Sequence, residues 1–269
     1  MKINLIPIKV KRQQPKFDII RVVLEAIKRN KERVIDYDIL VISSKFVSMS
    51  ENRIVELPKV RVKKAGKELA RALDMDEKLA QLVVDEADTI FSGVPGFALA
   101  IKNGVIAPNA GIDKSNVFPG HAILYPKDPF LSAEKIRRGI FERTGKRVGI
   151  VLSDSRLMPT RIGTTGVAIA VSGFEPVKDE RGRKDLFGNV LRVTQRAIAD
   201  DVTSAAQLIM GEADEGIPVV VVRGSGLSIT DKVIKRSSLS VSFENCIYIA
   251  GLTNSKMVGE MRQIKTRPS

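Results

Sequence analysis

Apolar and polar positions along this chain fall into short blocks with one of two periods. Ile3 to Val10 alternates as a strand does, whereas Phe17 to Arg33 carries Ile20, Val23, Leu24 and Ile27 at helical spacing with basic residues outside. Asp38 to Ser43 is a short β-branched run that ends in the hydroxyl pair Ser43 and Ser44. Lys59 to Leu73 and Asp76 to Ala87 predict two helices, the second capped by Asp74 or Asp76. Phe97 to Ala107 reads as a hairpin closed by Asn103-Gly104, a strong type I′ turn signal. Asp128 to Thr144 predicts a further helix stopped by Gly145.

The second half begins with Arg147 to Leu152, a strand apolar throughout after its arginine and ending in Ser153-Asp154-Ser155. Gly166 to Ser172 is a second apolar strand. Gln195 to Met210 is an alanine-rich helix with Ile198, Val202, Ala205, Ala206 and Ile209 on one face and Gly211 as its stop. Ile217 to Arg223 is the most strand-like segment and runs into Gly224-Ser225-Gly226. Past Asp231 the pattern weakens, and only a strand near Cys246 to Ala250 is expected. Strands and helices do not alternate strictly, so the fold class is mixed α/β (α+β) with flanking helices, not a clean doubly wound sheet. A single domain over 1–269 is expected, with a weak division near 126–129 into two interlocked parts.

Composition narrows the function classes. No apolar run approaches the ~20 residues that cross a bilayer, and Met1-Lys2-Ile3-Asn4-Leu5 enters a strand pattern without a signal-peptide core, so no membrane partner and a cytoplasmic location are expected. One cysteine, Cys246, excludes an internal disulfide and a cysteine-based zinc site. The net charge of +13 admits nucleic acid or small polyanionic substrates. Its lysines and arginines are scattered and aromatics make up 5% with no Trp, which disfavours single-strand stacking and leaves a steered anionic ligand as the better reading.

Familiar motifs are missing: there is no phosphate-binding P-loop, and Gly224-Ser225-Gly226 lacks the third glycine of a dinucleotide fingerprint. The lone His121 makes a histidine zinc cluster impossible and a Ser-His-Asp triad improbable. Four acidic clusters with small residues remain: Asn109 to Asn116, Ser153-Asp154-Ser155, Asp179 to Gly188, and Gly211 to Gly216. Carboxylate and hydroxyl oxygens beside flexible backbone suit Mg²⁺ or Mn²⁺ held against a phosphate, and Arg181, Arg183, Lys184 and Arg223 suit anions. Each cluster also has a plainer reading as turn or cap chemistry.

These strings resemble the coenzyme F-420-0:gamma-glutamyl ligase family. The matching segments are Asn109-Ala110-Gly111-Ile112-Asp113 with Ser115-Asn116-Val117, Thr144 to Gly149 leading to Ser153-Asp154-Ser155, Gly163 to Gly173, Asp179 with Gly182 to Gly188, Met210-Gly211-Glu212, and Pro218 to Gly224. They lie in the family's order over roughly residues 1–226. The resemblance implies a ligase that adds L-glutamate to coenzyme F420-0 by a gamma-glutamyl amide link. GTP would phosphorylate the acid to an acyl phosphate, with two divalent ions, Mg²⁺ or Mn²⁺, and K⁺ as a further candidate. By position it implies Asp113 and Asp154 as ligands of one metal, and Ser155 and Glu212 of a second. It assigns nucleotide contacts to Ser44, Lys45, Asn116 and the run Met210, Gly211, Glu212, Ala213, Asp214, Glu215, Gly216 and Ile217. It implies an intertwined homodimer as well.

Two departures bear on nucleotide preference. Met49 stands where the family commonly has a lysine four residues past Lys45, and Lys9-Val10-Lys11-Arg12 replaces a frequent Gly-Leu-Pro. The competing readings are a related metal-dependent amide ligase with another acid or nucleotide, and a basic nucleic-acid-binding protein whose loops are only turns.

Overall fold

The computed structural model describes residues 2–253; Met1 and the last part of the unpatterned tail, 254–269, lie outside the described residues. The strands are β1 Asn4–Ile8, β2 Ile39–Ser43, β3 Ile54–Glu56, β4 Thr89–Val94, β5 Phe97–Lys102, β6 Val105–Pro108, β7 His121–Ile123, β8 Gly149–Leu157, β9 Thr164–Ser172, β10 Lys178–Asp179, β11 Gln195–Arg196 and β12 Val219–Arg223. The helices are α1 Ile19–Arg29, α2 Ser44–Ser50, α3 Lys64–Ala72, α4 Glu77–Glu86, α5 Pro129–Thr144, α6 Ile198–Met210 and α7 Ile247–Thr253. This is the mixed α/β class expected, and among the described residues no helix is long and apolar enough to cross a membrane.

A five-stranded mixed sheet in the order β1-β12-β2-β8-β9 organises the chain. In this sheet only β2 and β8 run parallel, with Ser43 at the end of β2 opposite Ser153 in the middle of β8. Because β-strand side chains alternate between faces, Leu40 and Ile42 enter one core while Ile39 and Val41 enter the other. The first core lies under α1 and α5, the second under α6 and the segment carrying Leu227, Ile229, Ile234 and Leu239. A smaller core around Leu79, Leu82, Val83 and Ala98 joins α4 to the β4-β5-β6 sheet and β7.

Local signals explain the element ends. Asp18, Asp76 and Asp128 accept from the amides of Arg21, Leu79 and Leu131, which caps α1, α4 and α5. Asp76, not Asp74, is therefore the α4 cap. Gly145 takes the left-handed conformation (φ 69°) that ends α5, and Asn103 and Gly104 both have positive φ in the hairpin turn.

Several expectations are corrected. The helix expected from Lys59 begins at Lys64, because Leu57–Lys59 forms a 3₁₀ turn. Gln195 and Arg196 pair with β10, so α6 starts at Ile198, and its buried face centres on Ile198, Ala199, Thr203, Ala206 and Met210. The strand expected near Cys246 to Ala250 is the start of α7, where the Ala250 amide donates to Cys246 O at 2.8 Å. Most consequentially, β8 does not stop at Leu152. It runs through Ser153-Asp154-Ser155 to Leu157, paired with β2 on one side for its first part and with β9 on the other.

Candidate active site

The C-terminal ends of β1 and β2, the middle of β8 and the N-terminal end of β12 meet at one edge of the main sheet, since β12 is antiparallel to both β1 and β2. Open α/β sheets place ligands at such strand ends. Backbone bonds from Val10 N to Gly216 O (3.0 Å) and from Ser43 N to Pro218 O (2.9 Å) hold the loops together there. The result is a cavity of 680 Å³ walled by 10–13, 43–46, 116–118, 153–155 and 210–218. Ser44, Lys45, Asn116, Asp154, Ser155 and every residue from Met210 to Ile217 border it, as does Met49. A second cavity of 290 Å³ lies beside it and contains Asp113; the two share Ser44, Lys45, Asp154 and Ser155.

Asp154 is the centre of this shared wall. On β8 it faces Tyr125, whose hydroxyl donates to Asp154 Oδ2, while Ser44 Oγ lies 3.3 Å from Oδ1. Arg156, two residues on and therefore on the same strand face, donates from Nη2 to the tyrosine oxygen (3.0 Å) and from Nη1 to Ile106 O (2.6 Å). Burial pushes the Asp154 carboxyl above its ordinary range against the pull of the Arg156 charge and the Tyr125 hydrogen bond. Burial, and then the neighbouring carboxylate, pushes the Tyr125 hydroxyl far up, so it stays a neutral donor. Between Leu152 and Ser153 the pairing with β9 skips a residue, a bulge that re-aims the strand beside the site. Just past the bulge, Asp200 of α6 accepts from Ala168 N at 2.8 Å.

Asp113 arrives by a different route. Asn109, Ala110 and Gly111 take three successive positive φ values, 52°, 54° and 74°. Asn109 Oδ1 secures this turn by accepting from Ala98 N at 2.8 Å. A side chain on Gly111 would collide with the Tyr125 ring, so this glycine makes room for the tyrosine that reaches Asp154. The turn delivers Asp113 to a two-way backbone pairing with Ile123 (3.0 and 2.8 Å). Its carboxylate pairs with Lys45 Nζ at 2.6 Å and accepts from Ser115 N at 2.7 Å. Burial alone would raise its pKa, but Lys45 and Ser115 outweigh this and hold the carboxyl below the usual range.

Glu212, just past the positive-φ Gly211 that ends α6, accepts at Oε1 from Thr164 Oγ1 (2.8 Å) and Gln207 Nε2 (2.7 Å). The Asn116 amide approaches its backbone oxygen at 3.5 Å. Among the described residues no three His, Cys, Asp or Glu side chains converge into one metal shell. Mg²⁺-type ions, however, usually take only one or two protein carboxylates and complete their shells with water and phosphate oxygens. Asp113 with Asp154, and Ser155 with Glu212, offer that kind of hard oxygen set, and the Lys45 ammonium now sits on Asp113 as an internal cation.

Three of the four acidic clusters thus reach the paired cavities. The fourth, Asp179 to Gly188, borders neither; it forms an arm with β10 and β11 in which Arg181 pairs with Asp179 and Arg183 with Glu180. Arg223 is likewise engaged, by Asp38 and Glu32. His121 contacts Pro119 O at 3.0 Å and borders neither cavity. The sequence reading missed Tyr125 and Arg156. Arg156 was recoverable from the strand period once β8 is extended past Asp154, whereas nothing local to Tyr125 marks it.

The model of the family described as F420-0:Gamma-glutamyl ligase matches residues 7–224. A protein of Methanocaldococcus jannaschii named coenzyme F420:L-glutamate ligase is 45% identical over 193 residues, covering 71% of this chain and 77% of its own. Proteins of the same name from Archaeoglobus fulgidus (42% identical; 72% and 78% covered) and Methanothermobacter thermautotrophicus (37%; 77% and 82%) are similar over the same extent. With a family model matching most of its length and a 45% identical relative covered to 77%, the chain belongs to the F420-0:gamma-glutamyl ligase family.

Proposed function

We propose that this protein is a GTP-dependent ligase that joins L-glutamate to coenzyme F420-0 through a gamma-glutamyl amide bond. The observation that carries the reading is the shared wall of Ser44, Lys45, Asp154 and Ser155 between two unequal cavities. A ligase of this type must bring a nucleotide, an acid and an amine to one point, and family membership supports the acid and the amine.

The larger cavity suits the nucleotide. Asn116 and the Met210–Ile217 loop border it, and Lys45 reaches the wall from α2. A phosphate entering there competes with Asp113 for the Lys45 ammonium, which leaves Asp113 free as an oxygen donor. Asp154, Ser155 and Glu212 complete the donor set, and Thr164 and Gln207 hold Glu212 in place. These oxygens would hold two Mg²⁺ or Mn²⁺ ions, which would neutralise charge on the γ-phosphoryl oxygens. The chain's residues align the acid oxygen with the γ-phosphorus, so that the new P–O bond forms as the bond to the β-phosphate breaks. The amine of glutamate then bonds to the acyl carbon, the C–O bond to phosphate breaks with its electron pair leaving on phosphate, and the nitrogen releases its surplus protons to water.

Met49 in the wall of the larger cavity contributes no charge to phosphate, so in this reading the ammonium facing the phosphates is that of Lys45. A second copy of the chain is the proposed partner. The arm between β10 and β11 holds Leu186 and Phe187 almost wholly in water (99% and 90% exposed), which is unusual for residues that large in an isolated subunit. Hydroxylamine tests the chemistry: with GTP and coenzyme but no glutamate, it should trap the acyl phosphate as a hydroxamate. Absence of hydroxamate from an enzyme active with glutamate would exclude that intermediate.

A further inference from the structure

We infer that the 290 Å³ cavity is the seat of the incoming amino acid, with Lys114 and Ser48 among the groups that bind its carboxylates; the inference rests on the ligase reading above.

Position comes first. The cavity meets the nucleotide cavity only along Ser44, Lys45, Asp154 and Ser155. An amine bound in it therefore reaches the reacting carboxyl from outside the nucleotide cavity and can add to the acyl carbon without crossing the phosphate.

Size is the second argument. At 290 Å³ the cavity is at the lower end of ligand pockets. It accommodates an amino acid and is far too small for a deazaflavin with its ribityl and phosphodiester arms. The larger acid must enter by another route and present only its carboxyl.

Charge is the third. With Lys45 turned to the nucleotide phosphate, Lys114 and Arg156 remain on the cavity wall as cations for the two carboxylates of glutamate. Leu79, Ile112 and Leu124 give the apolar surface that the two methylenes of its side chain need.

The last argument concerns unused donors. Ser48 Oγ and Arg156 Nε are buried, belong to residues of this wall, and make no hydrogen bond among the described residues. Asp154 Oδ2 lies 3.6 Å from that Nε, beyond hydrogen-bond reach. Arg156 Nε can only donate and the Ser48 hydroxyl can donate as well, so an acceptor oxygen such as a carboxylate satisfies both. Buried polar groups are seldom left unpaired without such a reason.

Two variants test the assignment without touching the proposed metal or nucleotide residues. Ser48→Ala removes no hydrogen bond among the described residues and should leave thermal stability unchanged; Lys114→Ala removes an exposed cation. Each should raise KM for L-glutamate about tenfold, the effect of losing one hydrogen bond to a charged group, with KM for GTP within twofold of the parent. Calorimetric titration of L-glutamate into the free protein should show the same weakening. A parent enzyme that adds glutamate while both variants keep its KM and affinity overturns the assignment and leaves the ligase reading standing. A rise in KM for GTP rather than glutamate would also overturn it. A parent protein that adds no glutamate overturns the ligase reading itself, and the assignment with it.

Discussion

The Tyr125 hydroxyl donates to the Asp154 carboxylate and is itself held by Arg156 at 3.0 Å, so a residue between β7 and α5 fixes an acid in the middle of β8. Groups that orient a metal ligand from behind typically change metal affinity by about 10- to 100-fold when removed. Tyr125→Phe keeps the ring against Gly111 and deletes only the donor. We expect Mn²⁺ binding, followed by electron paramagnetic resonance of the free protein, to weaken by about tenfold or more, with an unchanged far-UV circular dichroism spectrum. Unchanged Mn²⁺ affinity would remove Tyr125 from this role.

Gly111 should be sensitive for a related reason. Alanine there must adopt φ 74° and push its methyl into the Tyr125 ring. Strain and overpacking together should cost about 2–4 kcal/mol in chemical denaturation. A cost below about 1 kcal/mol would mean that the tyrosine can move aside and is not held where we describe it.

Acid stability has an identifiable contributor away from the site. Burial alone would raise the pKa of Glu134, but hydrogen bonds from Arg137, Ser172 and Arg138 lower it from the usual 4.5 to about 2. A folded value below the unfolded one means that the stabilisation is complete above about pH 4.5 and is lost as pH falls towards 2. Glu134→Gln should therefore lower stability at pH 7 by about 2–3 kcal/mol, and the difference from the parent should shrink through that window. Parallel stability curves from pH 7 to pH 2 would contradict this origin.

The arm predicts an assembly. If a second copy covers Leu186 and Phe187, Phe187→Glu should shift sedimentation from dimer to monomer while the unfolding transition of the subunit is retained. A parent protein that sediments as a monomer at micromolar concentration would refute the proposed partner.

Much of the frame was legible because its signals are local. Asn103-Gly104 closes a hairpin, Asp128 and Gly145 bracket α5, and the β-branched run before Arg223 is β12. Ser153-Asp154-Ser155 was misread as the end of a strand because small polar residues carry neither period nor β-propensity; β9 alongside supplies the pairing that keeps them extended. Ile247 and Tyr248 invite a strand by type, yet the segment closes its own helical bonds. Three acidic clusters converge because strand order brings distant loops to one edge, and no spacing in the chain encodes that order. Tyr125 is the extreme case, since its importance exists only through contact with Asp154, 29 residues away.

The most direct measurement is the mass of the product. The purified protein, incubated with coenzyme F420-0, L-glutamate, GTP and Mn²⁺, should yield coenzyme heavier by whole glutamyl residues, and Asp154→Asn under the same conditions should yield none. No glutamyl addition by the parent protein with GTP or any other nucleotide, or undiminished addition by the Asp154→Asn variant, would contradict the account.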